Sequence, residues 1–476
     1  MLPIDYITVK DIISLEIKTL SMKIMNDINS IFVSVLSRIR PTDQEKQKLS
    51  VLADSLISMV NAISKVEGLD ISAILVGSTA RNTWLSGEHD LDIFMMFPPD
   101  VSREYLKEKG LYVARKMAEK AQSSEERYAE HPYINAIFDG YEVDLVPAFG
   151  VASASEIKSA VDRTPFHNRF VLSRIQGLED DVLLLKQFLK GCGVYGSELK
   201  THGFSGYLVE LLVIYYGSFE QVLVAACEWK PGLKIDLEQH SSASVTHADA
   251  MVVIDPTDPA RNVAAALSLD NMCIFIDSAR EFLEDPDASF FSLRVVEPLE
   301  DIEFKSIMHV RGTSLIAIEF TSPDEVDDVL FPQLHKMEDS VREMLERYDF
   351  CVYNSGVWAD KKAILVFELE SSGLPTLKKH AGPNVWMEEH VASFKSKYTG
   401  SNALSNVYIR NGKYMVEIQR KFTHVKELLE SELPKCGLGK HVALSIKKGY
   451  HVLENEQILN IKENDFREFL HRFFKK

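Results

Sequence analysis

The feature that most constrains this chain is a spacing: Gly77-Ser78 at the end of a short apolar run, then Asp90-Leu91-Asp92 after 11 intervening residues. Ile71 to Val76 reads as a buried strand. Gly-Ser directly after it marks a turn into a helix, where free backbone N–H groups can hold phosphate oxygens. Leu91 to Phe97 reads as a second strand, and alternation puts Asp90 and Asp92 on one face with Leu91 and Ile93 toward the core. Two carboxylates side by side repel each other, a cost that divalent cations between them relieve. Asp144, in Glu142-Val143-Asp144-Leu145-Val146, lies on a third strand, Tyr141 to Val146. Three carboxylates on adjacent strands make the hard oxygen set that holds two Mg²⁺ ions for in-line nucleotidyl transfer. Each piece alone is bland: an Asp-x-Asp is common on exposed strand ends, and Gly-Ser after a strand is ordinary turn chemistry. Together they describe a mixed α and β domain with one acidic sheet face.

The combined pattern resembles the nucleotidyltransferase superfamily that includes DNA polymerase β. Longer stretches narrow the likeness: Val76-Gly77-Ser78-Thr79-Ala80-Arg81-Asn82-Thr83-Trp84-Leu85, Tyr128-Ala129-Glu130-His131-Pro132-Tyr133 and Val161-Asp162-Arg163-Thr164-Pro165-Phe166-His167. Gly203-Phe204-Ser205-Gly206-Tyr207-Leu208 and Asp255-Pro256-Thr257-Asp258-Pro259-Ala260-Arg261-Asn262-Val263-Ala264-Ala265 complete the series. These are similar to the archaeal-type (class I) CCA-adding enzymes, strongly from about Val76 to Phe275 and more weakly beyond. The resemblance implies an α+β fold: a polymerase β-like nucleotidyltransferase head, a helical neck, and a C-terminal α/β body with an RNA-binding tail. It implies template-independent addition of the 3′-terminal CCA of tRNA from CTP and ATP, and a homodimer. Carried onto matching positions, it gives Asp90, Asp92 and Asp144 the two Mg²⁺ ions. Gly77, Ser78 and Arg81 would contact the triphosphate, Thr164 and His167 the sugar, Lys186 and Tyr195 the phosphates, and Arg261 the base. This chain has Asp90 where the family usually has Glu; the shorter side chain still ligates Mg²⁺, so slight metal repositioning with retained activity is expected. Another polymerase β-like RNA nucleotidyltransferase, such as a poly(A)-adding enzyme, is the alternative enzyme. An inactive RNA-binding scaffold is the alternative of a different class.

The residues by themselves agree only in part. Lys186 lies among Leu183, Leu185 and Leu189 on an apolar helix face, where a lysine ordinarily snorkels, stem on the apolar surface and head in water. Thr164 and His167 fit a turn and helix start equally well. Tyr195, in Gly193-Val194-Tyr195-Gly196, is either a lid or a packing plug. If Asp258 is an N-cap and Pro259 the first helical residue, Arg261 falls in a first turn, where a cation is unfavourable beside the helix dipole. A nucleotide or tRNA phosphate would relieve that, or a local salt bridge to Asp255 or Asp258.

Length and charge organise the rest. At ~150 residues per domain, the 476 residues suggest about three domains: 1–154 as head with an N-terminal helical extension, 155–285 as helical neck, and 286–476 as body and tail. The first 40 residues place Ile12, Ile13, Leu15, Ile17 and Leu20 at helical spacing, and Thr42-Asp43-Gln44-Glu45 forms a capping box before a further amphipathic helix. Val182 to Leu189, Gly206 to Tyr216 and Pro259 to Leu267 read as the starts or cores of helices, and Glu284-Asp285-Pro286-Asp287 as a linker. A β-α-β-β order from Thr313 to Glu370 predicts a small open-faced sheet with helices on one side, and Asn464 to Lys476 an amphipathic helix. Net charge is −17, yet Ser371 to Lys476 carries 18 Lys and Arg against 11 Asp and Glu, while the remainder holds 35 against 59. An acidic body with a basic tail is either a chance fluctuation on a solvated surface or a patch for a polyanion, with Lys395, Lys397, Arg410, Arg420, Lys421, Lys447 and Lys448 as contacts and Tyr398 for stacking. Five cysteines stand singly without a CxxC pair, as expected of buried thiols in a reducing compartment. The charge-free apolar stretch Leu211 to Phe219 falls short of the ~20 residues a bilayer requires. With an N-terminus unlike a signal peptide, the expectation is a cytoplasmic protein.

Overall fold

In a computed structural model, residues 28–88, 90–128, 130–240, 249–293, 296–399 and 403–475 are described. The expected helical pattern over Ile12 to Leu20 lies outside them. The chain divides into two compact units, Met1–Arg294 and Val295–Lys476.

The first unit opens with α1 (Ile28–Ile39) and α2 (Asp43–Glu67). The capping box forms as expected: Thr42 Oγ1 accepts from the Glu45 N–H at 3.2 Å, and Glu45 Oε2 accepts from the Thr42 N–H at 2.7 Å. By length and composition α2 could cross a bilayer, but Leu49, Ala53, Leu56 and Val60, spaced three and four apart, bury against the sheet. Then follow β1 (Ser72–Val76), α3 (Gly77–Arg81), β2 (Asp90–Phe97), α4 (Arg103–Ala118), β3 (Ser123–Tyr128), β4 (Pro132–Phe138) and β5 (Tyr141–Phe149). The sheet order is β1-β2-β5-β4-β3, with β2 and β5 parallel and the other pairs antiparallel. Alternation sorts the faces: Leu91, Ile93, Met95, Val143 and Leu145 join α2 and α4 in one core. The opposite face carries a smaller apolar cluster of Val76, Phe94, Val146 and Ala148.

A mostly helical core follows: α5 (Thr164–Leu172), α6 (Glu179–Cys192), α7 (Gly206–Tyr216), α8 (Phe219–Ala226) and, after the parallel ribbon β6 (Leu233–Asp236) and β7 (Met251–Ile254), α9 (Leu269–Glu284). Phe188, Phe204, Phe219, Phe275 and Phe282 fill its centre. The helix expected over Pro259 to Leu267 does not form. Side chains there claim the backbone instead: Asn262 Oδ1 accepts from the N–H groups of Val253 and Ala264 at 2.8 and 2.9 Å, and Asp255 Oδ1 accepts from Thr257 N at 2.9 Å. Such local bonds compete with a helical ladder. The helix starts at Leu269, capped by Ser268, whose hydroxyl accepts from the Asn271 N–H at 3.2 Å.

The second unit comprises α10 (Asp301–Arg311), β8 (Ser314–Thr321), α11 (Asp327–Arg347), β9 (Val352–Ala359), β10 (Lys362–Leu369), β11 (Leu377–Asn384), α12 (Glu388–Lys397), β12 (Tyr408–Arg410), β13 (Lys413–Gln419), α13 (Val425–Glu432), α14 (Lys440–Lys448), β14 (Tyr450–Glu454) and α15 (Asn464–Phe474). The β-α-β-β order stands, but the sheet, ordered β14-β8-β10-β9, is covered on both faces. Helices α11, α13 and α14 pack on one side and α10 and α15 on the other. The signal was in β10, whose Ala363-Ile364-Leu365-Val366-Phe367 runs apolar without alternation, the mark of a strand buried twice. A second sheet, β11-β13-β12, carries α12.

Candidate active site

Parallel pairing of β2 with β5 sets Asp92 opposite Asp144 and Asp90 opposite Glu142. Because side chains alternate, all three aspartates share the face turned away from α2 and α4. Asn135 on β4 pairs with Asp144, and its Nδ2 donates to Asp144 Oδ1 at 2.7 Å. Burial pushes the Asp92 carboxyl up to about 7, helped by the negative charges of Asp144 and Asp90 and opposed by Arg81. Burial likewise raises Asp144, against the Asn135 hydrogen bond and the Arg127 charge. Among the described residues the three carboxylates lie side by side and do not converge on one point. Hard oxygens that repel each other in a partly dry place are the donor set a divalent cation suits.

Gly77 closes one edge of this face at φ +80°. A Cβ there would stand 1.9 Å from Asp92 Oδ2, so only glycine lets the turn lie against that carboxylate. Ser78 follows in α3, and Thr79 Oγ1 donates to the Asp90 carbonyl at 2.7 Å, tying the short helix to the start of β2. Arg81 ends α3 and is buried. Its Nε donates to Glu210 Oε1 at 2.9 Å and its Nη1 to Asn168 Oδ1 at 3.1 Å, joining α3 to α7 and α5.

Lys186 does not snorkel. It is 4 % exposed, and its Nζ donates to the Thr83 carbonyl at 2.6 Å. Burial pushes its ammonium down to about 8, the nearby Glu210 pulling it back up and Arg81 driving it lower. Tyr195 lies close by: a Cβ on Gly206, the first residue of α7, would be 3.2 Å from the Tyr195 hydroxyl and 3.8 Å from Lys186 Nζ. Burial and the carboxylates of Glu88 and Glu210 raise the Tyr195 phenol. The ring thus sits beside Lys186, with the Lys190 ammonium over it, 5.2 Å from the centroid.

Thr164 opens α5 and His167 stands one turn on. The His167 ring stacks on Tyr207, centroids 4.1 Å apart, and its Nε2 meets Asp255 Oδ2 at 2.8 Å. Arg261 Nη1 donates to the same oxygen at 2.9 Å. The local salt bridge is therefore what Arg261 makes, and without a helix the dipole argument for it lapses. Asp255 is fully buried. Burial alone would raise its carboxyl, but His167 and the Thr257 donors outweigh that and hold it well below the usual carboxylate range. Asp255, Glu210 and Asn135 are the residues sequence reasoning underused. Asp255 entered only as a possible salt-bridge partner, while Glu210's signal was a lone charge in the apolar run Leu208-Val209-Glu210-Leu211-Leu212.

In the tail, Lys395, Lys397, Arg410, Lys447 and Lys448 are exposed. Arg420 is engaged by Asp349 and the Pro375 carbonyl, and Lys421 pairs with Glu432 at 2.9 Å. Tyr398 packs against Phe394 and His380, centroids 4.9 and 5.4 Å away.

Three family models match the chain: the nucleotidyltransferase domain over residues 57–167, the second domain of tRNA nucleotidyltransferase over 180–292, and the C-terminal domain of CCA-adding enzyme over 311–455. The chain is 52 % identical over 443 residues to the CCA-adding enzyme of Methanosarcina mazei, covering 93 % of this chain and 97 % of that one. The same values hold for the enzyme of Methanosarcina acetivorans. The Methanoregula boonei CCA-adding enzyme is 41 % identical over 440 residues, 92 % of this chain and 93 % of that one.

Proposed function

This chain belongs to the archaeal-type CCA-adding enzymes and adds CCA to the 3′ end of tRNA, and on that premise we propose that the single acidic face of β2 and β5 carries every addition, C, C and A. The observation that carries this reading is the pairing of Asp92 with Asp144, with Asp90 next along the same face. Asp90, Asp92 and Asp144 would hold two Mg²⁺ ions, which when bound lower the pKa of the tRNA 3′-hydroxyl and offset charge on the leaving pyrophosphate.

The chain's own groups do the rest. The 3′ oxygen attacks the α-phosphorus of CTP twice and of ATP once, each time releasing pyrophosphate. Ser78 and the Gly77 turn receive triphosphate oxygens, and Arg81 and Lys186 supply two buried cations whose charge Glu210 only half cancels, so the pocket favours a polyanion. Tyr195 donates its hydroxyl from the wall. Thr164 and His167 hold the sugar, His167 fixed by Asp255 and the Tyr207 stack. Arg261, anchored on Asp255, reads the base together with the RNA end already present, which lets one pocket switch from CTP to ATP. Exposed Lys395, Lys397, Arg410, Lys447 and Lys448 hold the tRNA body. A cytoplasmic homodimer completes the proposal.

The test is a tRNA lacking CCA, given CTP and ATP with Mg²⁺. Two C and one A followed by a stop support the reading, and an open-ended A tail opposes it. Asp92→Ala should lose incorporation of both nucleotides while keeping tRNA affinity; loss of only one would place the two additions at different sites.

A further inference from the structure

Glu210 enters the mechanism only as a counter-charge to Arg81 and Lys186, yet it is fully buried in a helix whose neighbouring residues are all apolar. One oxygen is well used: Oε1 accepts from Arg81 Nε at 2.9 Å and from Thr83 Oγ1 at 2.6 Å. The other, Oε2, has no hydrogen-bond partner among the described residues. A buried carboxylate with one bare oxygen is costly, and a leucine would continue the pattern of α7 without that cost. The groups it touches explain its presence. Arg81 ends the short helix that Gly77 and Ser78 open, and Thr83, two residues on, offers its carbonyl to Lys186 Nζ. One carboxylate thus fixes the arginine directly and the lysine's anchor through Thr83.

We propose that Glu210 is the positioning residue of the triphosphate pocket: it pins Arg81 and the Thr83 loop in the binding geometry, and its charge keeps the two buried cations from repelling each other while no nucleotide is present. This rests on the reading that Arg81 and Lys186 bind the triphosphate. The charge balance supports it. Arg81 and Lys186 are both buried, Glu210 is the fully buried anion beside them, and the ammonium of Lys186 responds to Glu210 and Arg81 in opposite senses. The charges of Glu88 and Lys190 also act on that lysine, though the two pair with each other nearer the surface, and the Tyr195 hydroxyl lies near the same Gly206 backbone as Lys186 Nζ. Arg81 and Lys186 against the one carboxylate of Glu210 leave this side of the pocket net positive, beside the Asp92 carboxyl that Arg81 also faces, and attractive to a polyanion. Without the anion, Lys186 would give up its proton more readily, and binding would have to restore it.

The experiment measures CTP affinity against pH, with folding checked by thermal melting. In the wild type, affinity should fall as pH rises past Lys186's midpoint near 8, and Lys186→Met should abolish that fall. Glu210→Gln keeps an oxygen for Arg81 and Thr83 but removes the charge; it should move the midpoint about one pH unit toward acid. Glu210→Asp keeps the charge but withdraws it from Arg81; it should weaken CTP about tenfold with the midpoint near the wild-type value. A Glu210→Gln protein that is folded and shows wild-type affinity and midpoint overturns the inference. A Lys186→Met protein that keeps both the affinity and the alkaline fall overturns the triphosphate reading instead. Should Glu210→Gln fail to fold, the Asp variant decides: unchanged CTP affinity there also overturns the inference.

Discussion

Gly77→Ala separates what the fold needs from what the chemistry needs. The residue sits at φ +80°, and an added Cβ would lie 1.9 Å from Asp92 Oδ2, more than an ångström inside any distance real Cβ atoms tolerate. The left-handed backbone costs a non-glycine residue ~1–2 kcal/mol. The overlap itself is cheap for stability, because the obstacle is the tip of a carboxylate that can swing aside. It is expensive for function, because that carboxylate must then leave its place opposite Asp144 by about an ångström, and a misplacement of that size at a reacting centre costs on the order of 100-fold in rate. The variant should therefore fold, melt several degrees lower at about 2–4 °C per kcal/mol, bind tRNA as wild type does, and add CTP and ATP roughly 100-fold more slowly. The assay is single-turnover incorporation on tRNA lacking CCA at saturating Mg²⁺. A folded variant with near-wild-type rates would refute the claim that Asp92's orientation matters.

Other perturbations follow the same logic. Lys186 titrates near 8 when folded against 10.5 for an ordinary lysine, so the unfolded chain binds more protons between those values. Its burial penalty is full below pH 8 and fades as pH rises toward 10.5, on the order of 3 kcal/mol in total. Lys186→Met should flatten the wild-type gain in stability over that window, and equal slopes would contradict the burial. Arg261→Ala should cost ~1–3 kcal/mol of CTP-over-UTP discrimination with tRNA affinity kept; an unchanged ratio leaves Arg261 as nothing more than Asp255's partner. Reversing the charges of Lys447 and Lys448 should weaken tRNA binding and flatten its salt dependence by roughly 0.7–0.9 log units per lost phosphate contact. A wild-type salt slope would make that pair ordinary solvated surface.

The acidic face was legible because it depends on local periodicity alone: alternation in β2 and β5 fixes which way Asp90, Asp92 and Asp144 point once the strands pair. Helices α6 and α7 were legible as local apolar runs, each followed by a glycine, Gly193 and Gly217. What escaped was set by partners distant in sequence. Arg81's burial depends on Glu210, 129 residues away, and Lys186's depth depends on a carbonyl 103 residues away; neither leaves a local pattern. The segment from Pro259 to Leu267 misled because Pro after Asp is a helix-start signal, while the Asp255 and Asn262 side chains tie the same backbone into turns. The second unit's sheet was expected to be open because α10 and α15, which cover its far side, flank the strands at opposite ends of the segment.

One acidic face serves a triphosphate held by the helical core in every addition proposed for this chain. Crystals soaked with a non-hydrolysable CTP analogue and Mn²⁺, and separately with an ATP analogue, would locate both metal and triphosphate. Anomalous peaks are expected against Asp90, Asp92 and Asp144 in both soaks, with triphosphate density reaching Ser78, Arg81 and Lys186. Manganese bound elsewhere, or the two nucleotides in different pockets, would contradict it.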